Sequence, residues 1–146
     1  MDIFTLGSGK KSYDQFKNLI NRYRIPILLD IRLHNDSQLL GFTRKRDLPS
    51  ILRDVCSCKY EHCINYAPTE EILTDWRNER IIWPEYEARY RALMSERKAV
   101  KDFINCYGRY ASVCLLCAEP KPTHCHRRLF AEMIAENLSD TEIIHL

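Results

Sequence analysis

Residues 113–138 constrain the fold more than any other stretch, because three different patterns follow one another there without a gap. Val113, Cys114, Leu115 and Leu116 form a continuous apolar run, as expected of a strand buried on both faces. The chain turns polar at Cys117-Ala118-Glu119, and Pro120 and Pro122 then forbid regular structure. Beyond His124, the residues Leu129, Phe130, Met133, Ile134 and Leu138 recur at helical spacing. The pattern predicts a buried strand, a stiff loop and a helix whose first turn carries Cys125, His126 and Arg127. Open α/β sheets bind ligands beyond the carboxyl ends of their strands, so this loop is the expected place for a site.

The rest of the chain alternates in the same way. Residues 2–7 predict a short strand, broken by Gly7-Ser8-Gly9. Ser12 and Gln15 form a capping box for a helix that carries Phe16, Leu19, Ile20 and Tyr23 on one face. Ile27 to Ile31 is a second buried run with one acid, Asp30, and completes a βαβ unit. Residues 33–43 read as a loop. The next helix tolerates Pro49 in its first turn and presents Leu48, Ile51, Leu52 and Val55 inward. Lys59 to Asn65 alternates as an outer strand. Thr69 caps a short helix, and Pro84 opens another that presents Tyr86, Tyr90, Leu93 and Met94. Ser95 caps a further helix with Val100, Phe103, Ile104 and Tyr107 inward, and Thr141 to Leu146 forms a last strand. This alternation predicts a three-layer, Rossmann-like α/β fold. Its sheet of about five strands is mostly parallel and flanked by helices, in a single domain over residues 1–146. The expected strand order is 3-2-1-4-5, which brings the ends of strands one, two and four together.

Composition bounds the partners. A net charge of +2 over 146 residues gives no strong overall field toward nucleic acid or membrane. No stretch of about 18 apolar residues predicts a membrane span, and the first residues lack a secretory pattern. Seven cysteines, an odd number, predict reduced thiols in a cytoplasm rather than a disulfide framework. Cys106 and Cys114 fall within apolar patterns and are expected to be buried.

The candidate residues gather at the expected strand ends. Asp30 and Arg32 point the same way; Arg32 offers a planar fork for an anion, and Asp30 either orients it or acts as a base. An internal ion pair is the plain alternative. Glu119 ends a buried strand, where desolvation would raise its pKa toward acid–base use. Cys125 sits at a helix start that favours a thiolate, with His126 or His124 as base, or it caps the helix passively. Gly7 and Ser8, with Arg127, offer further donors for an anion. Trp76, Trp83, Tyr86 and Tyr90 are core or ligand-wall residues.

Three readings remain. The first is an enzyme on a small anionic, nucleotide-like molecule. It is bound by Gly7, Ser8, Arg32 and Arg127 and acted on by Glu119, with Asp30, Cys125 and His126 assisting. The second is a non-catalytic nucleotide- or nucleic-acid-binding module drawing on Arg44-Lys45-Arg46 and Arg127-Arg128. The third is a metal or redox protein using Cys117, His124, Cys125 and His126, or Cys56, Cys58 and Cys63. Cys56-x-Cys58 is tighter than the C-x2–4-C spacing common in zinc sites, and seven residues separate Cys117 from Cys125, so no metal ligands are assigned. The residues name no cofactor.

The chain also resembles the prokaryotic family called domain of unknown function 488. The resemblance rests on Thr5-Leu6-Gly7-Ser8, Asp30-Ile31-Arg32, the Tyr86 to Met94 helix and the closing Ile144-His145-Leu146. Its most specific part is Leu116-Cys117-Ala118-Glu119 followed by Cys125-His126-Arg127. The resemblance implies a single α/β domain with its polar residues gathered at one pocket, and it implies no reaction. After Arg32 the family usually carries a proline and a serine-arginine loop, whereas this chain reads Leu33-His34-Asn35-Asp36-Ser37.

Overall fold

The computed structural model describes residues 1–36 and 38–146, and the side chains of all of these except 38–40. Its strands are β1 (Asp2–Gly7), β2 (Ile27–Asp30), β3 (Lys59–His62), β4 (Ser112–Cys117) and β5 (Glu142–His145). Its α-helices are α1 (Tyr13–Arg22), α2 (Leu48–Cys56), α3 (Glu70–Arg77), α4 (Trp83–Glu96), α5 (Ala99–Tyr107) and α6 (His126–Asn137). Every strand pair is parallel, and the sheet order is β3-β2-β4-β1-β5. The α/β fold class is therefore as expected, and the strand order is corrected: β4, not β1, lies beside β2. β1, β2 and β4 all carry near-continuous burial, while β3 and β5 show the half-exposed pattern of edges. Burial thus separates edge from centre and says nothing about the order of the three inner strands.

The side-chain period of two divides the inner strands between two cores. Ile3, Ile27, Leu29, Val113 and Leu115 face one side, with Tyr90, Phe103 and Phe130 from α4, α5 and α6. Phe4, Leu6, Leu28, Cys114 and Leu116 face the other, with Phe16, Ile20, Leu48 and Leu52 from α1 and α2. Each fully buried side chain of this kind contributes roughly 1.5–3 kcal/mol, so the two layers of helix hold the sheet from both sides.

Local signals were read with mixed success. The Ser12–Gln15 capping box forms in full, and Thr69 caps α3 through the Ile72 amide. Ser95 does not cap α5; Lys98 holds that place with a left-handed φ of 54°. Val55 is exposed on α2, and Cys106, expected inside, is exposed on α5. The outer strand stops at His62, where a 3-10 turn over Ile64–Tyr66 takes over. Within the expected loop 33–43 a 3-10 turn spans Gln38–Thr43, and the part of that expectation at residue 37 lies outside the described residues. Among the described residues no helix is long and apolar enough to cross a membrane.

Candidate functional site

A cleft opens just past the carboxyl ends of β2 and β4. Arg32 and His34 from the β2 side, Trp76 and Arg77 from α3, Tyr86 from α4, and the Cys117–Glu119 and His124–His126 segments line it. Its cavity volume is about 60 Å³, well under the roughly 300–1,000 Å³ of a pocket that engulfs a drug-sized ligand. That space is the size of an ion, a few waters or one end of a larger molecule.

The β2 wall is a fixed ion pair. Asp30 and Arg32 are buried, and Arg32 donates through Nε and Nη2 to the two carboxylate oxygens of Asp30, both at 2.8 Å. The Tyr60 hydroxyl and the Arg32 amide also donate to Asp30, at 2.7 and 3.2 Å. Nη2 further donates to the Thr43 carbonyl at 2.6 Å. Burial works against the Arg32 charge, and the hydrogen bonds to Asp30 outweigh it, so its pKa is raised. Asp30 is thus committed to Arg32 in a buried ion pair, which is equally the plain internal pair and the orienting contact foreseen, and Nη1, which donates to Thr43 Oγ1 at 3.4 Å, is the part of Arg32 turned away from Asp30.

The floor is a cluster of two sulfurs and an imidazole. Cys117 ends β4, Cys125 occupies the N-cap position of α6, and His126 is its first residue. All three are buried, and their donor atoms lie within 4.8 Å of one another. The Cys125 side chain makes no capping hydrogen bond, and its sulfur accepts from Arg127 Nη1 at 3.4 Å. His126 Nε2 lies 2.8 Å from the Ile31 carbonyl, which accepts only from an N–H. Nδ1 is left facing Cys117 Sγ at 3.8 Å. Ile31 is held in turn by its amide, which donates to the Leu116 carbonyl of β4 at 3.1 Å. A hydrogen bond from the Cys125 thiol holds Cys117 well below the usual thiol range, against the effect of burial and with help from His126. Burial pushes Cys125 well up. Burial alone would lower His126, but the neighbouring Cys117 sulfur raises it.

Three expected site residues have other duties. Arg127 is fully buried and points under the loop, donating to the Glu119 carbonyl, to the Pro120 carbonyl at 3.5 Å and to Cys125 Sγ at 3.4 Å. The Ser8 and Gly9 amides donate to the Cys117 and Ala118 carbonyls at 2.9 and 2.8 Å. A Cβ on Gly7 would stand 1.9 Å from the Glu119 carbonyl oxygen. Gly7, Ser8 and Arg127 therefore hold the 117–120 segment in place and do not line the cleft. Glu119 does line it, but exposed, which corrects the expectation of a desolvated carboxylate.

Sequence reasoning passed over His34 and Arg77 as cleft residues, and weighed Cys117 only as a metal ligand. Cys117 carried a usable signal, since it closes a buried parallel strand one loop before Cys125. Trp76 and Tyr86 were foreseen as core or wall and are both: they pack at 5.8 Å between ring centroids and line the cleft. His124 stacks against Trp83 at 4.9 Å, which fixes the far lip.

No curated protein and no solved structure matches the chain. One family's sequence pattern matches residues 12–134, a span that takes in Asp30, Arg32, Cys117, Glu119, Cys125 and His126. As the resemblance implied, the chain belongs to the family described as Domain of unknown function DUF488.

Proposed function

We propose that the chain is an enzyme that binds a small anionic, nucleotide-like molecule by one end in this cleft. Glu119 serves as its acid–base or nucleophilic carboxylate. The observation that carries the reading is the convergence of unlike groups at one set of strand ends. Arg32 and Arg77 supply positive charge, Trp76 and Tyr86 supply flat apolar walls, and Glu119 stands exposed at the mouth. The Nε–Nη2 fork of Arg32 is held by Asp30, so its guanidinium is fixed in place and the Nη1 side contributes charge to an anion at little further cost in freedom. Gly7, Ser8 and Arg127 support the loop that carries Glu119, and Cys125 and His126 form the floor.

The test is a thermal-shift screen of nucleotides, sugar phosphates and nicotinamide cofactors. A ligand at a hundred times its Kd adds about 2.7 kcal/mol, which raises Tm by several degrees at this chain length. Arg77→Ala is the informative variant, because Arg77 is exposed and its loss costs the fold little. The expected result is a shift in the wild type that Arg77→Ala loses. Glu119→Gln should keep the shift and lose turnover. A shift equal in wild type and Arg77→Ala puts the ligand elsewhere, and full turnover in Glu119→Gln removes the carboxylate's role.

A further inference from the structure

The floor of the cleft has the chemistry of a ligand set rather than of ordinary packing. Two thiols and one imidazole nitrogen, all from buried residues, lie within 4.8 Å of one another. Tetrahedral zinc, with Zn–S of about 2.3 Å and Zn–N of about 2.0–2.1 Å, sets its sulfur and nitrogen ligands about 3.6 Å apart. Cys117 Sγ and His126 Nδ1 stand 3.8 Å apart, close to that ligand spacing, and no pair in the set is more than 4.8 Å apart.

The surroundings are those of a ligating histidine. Metal-bound imidazoles donate their second nitrogen to a carbonyl or carboxylate, which fixes ring and tautomer. His126 donates Nε2–H to the Ile31 carbonyl at 2.8 Å, and this leaves the Nδ1 lone pair turned to the sulfurs. Arg127 donates to Cys125 Sγ at 3.4 Å, an outer-shell hydrogen bond that steadies a thiolate. Cys125 makes no side-chain capping hydrogen bond, and its sulfur is turned to Cys117 instead.

We propose that Cys117, Cys125 and His126 bind one divalent transition-metal ion of the zinc class, with a fourth position open to the cleft. Two thiolates and an imidazole are a soft, tetrahedral set, suited to zinc rather than to magnesium or calcium. All three residues line the cleft, so the remaining position faces Glu119, His124 and whatever enters. Three protein ligands with one open position are the arrangement of catalytic zinc, whereas structural sites close with four. An ion there would polarise a bound oxygen or lower the pKa of a bound water. This goes beyond the anion reading and does not rest on it.

The test uses the full chain, stripped of metal under reducing conditions and titrated with Co²⁺ in the absence of any anionic ligand. The expected result is one Co²⁺ per chain, with thiolate-to-cobalt charge-transfer absorption and the strong visible bands of a four-coordinate ion. Zn²⁺ should displace it. Loss of an outer-shell partner costs about 10–100-fold in metal affinity, so Cys117→Ser and Cys125→Ser should each lose at least as much. Cys106→Ser, an exposed cysteine outside the cleft, should bind as the wild type does. X-ray absorption on the zinc-loaded wild type decides the matter even if the variants fail to fold. Two sulfurs at about 2.3 Å and nitrogen or oxygen near about 2.0 Å support the site. No stoichiometric cobalt binding, binding unchanged in Cys117→Ser, or a zinc shell without sulfur overturns it. The anion screen fails or succeeds independently of this titration.

Discussion

Replacing Asp30 by asparagine removes one negative charge and almost no volume, so it isolates the electrostatics of the β2 wall. Asp30 accepts two hydrogen bonds at 2.8 Å from the Arg32 fork and a third at 2.7 Å from Tyr60. Side-chain exposures of 6% for Arg32 and 0% for Asp30 mean that water cannot take over either charge. Breaking such a buried pair from one side costs about 3–5 kcal/mol, because the other charge is left buried and alone. A chain of this length loses roughly 3 °C of Tm per kcal/mol, so Asp30→Asn should melt roughly 9–15 °C below wild type. Urea unfolding followed by circular dichroism measures the loss directly, with the slope m unchanged if both end states are preserved. The double variant Asp30→Leu/Arg32→Met removes both charges and should fall less far than Asp30→Asn alone. A loss under about 1 kcal/mol in Asp30→Asn, the worth of a surface pair, would refute the claim that this pair is a desolvated structural unit. For the same reason Arg32→Ala is a poor probe of ligand binding: it strands Asp30 inside the sheet end.

Two further predictions follow from other contacts. Gly7→Ala sets a Cβ against the Glu119 carbonyl, a backbone atom that cannot rotate away. It should cost at least about 1–3 kcal/mol, and an unchanged Tm would mean that the loop does not rest on β1. Burial, with the Arg127 and Arg128 charges, holds His145 below its ordinary 6.5, and the Thr5 hydroxyl lies 2.6 Å from its Nδ1. A base depressed in the folded state is stabilising when neutral. The His145 contribution is therefore full above pH 6.5 and lost as pH falls below that through the folded value. An NMR titration of His145 with its midpoint at or above 6.5 would contradict this.

The legible part of the fold was the part carried by local patterns. Runs such as Ile27–Asp30 and Val113–Leu116 are long enough to declare buried parallel strands, and caps such as Ser12 with Gln15 declare helix starts. Strand order was not legible, because β1 and β4 have the same burial and exchanging them moves no apolar residue to water. Position along the chain singled out Arg32, Glu119, Cys125 and His126, which line the cleft, and Asp30, which stands behind Arg32. It misassigned Arg127, because a cation after a loop looks the same whether it faces out to a ligand or in to carbonyls. Cys117 was set aside on spacing. The C-x2–4-C rule describes ligands within one tight knuckle, whereas here a loop with two prolines returns the chain so that a strand end and a helix start meet.

The place of β4 also bears on how the molecule comes into being. Asp2 pairs with Ser112 and Leu28 with Cys114, so the middle strand of the sheet is separated from both neighbours by long stretches of chain. In chain order β2 and β3 are complete well before β4, whereas both partners of β1, β4 and β5, lie more than a hundred residues further on. Pairings this distant in sequence make folding slow and leave apolar strand edges open meanwhile. The strand that joins the two halves of the sheet also carries Cys117 at its end. The cleft therefore needs β4 in place, and a chain too short to include β4 and the loop after it lacks most of the cleft's lining.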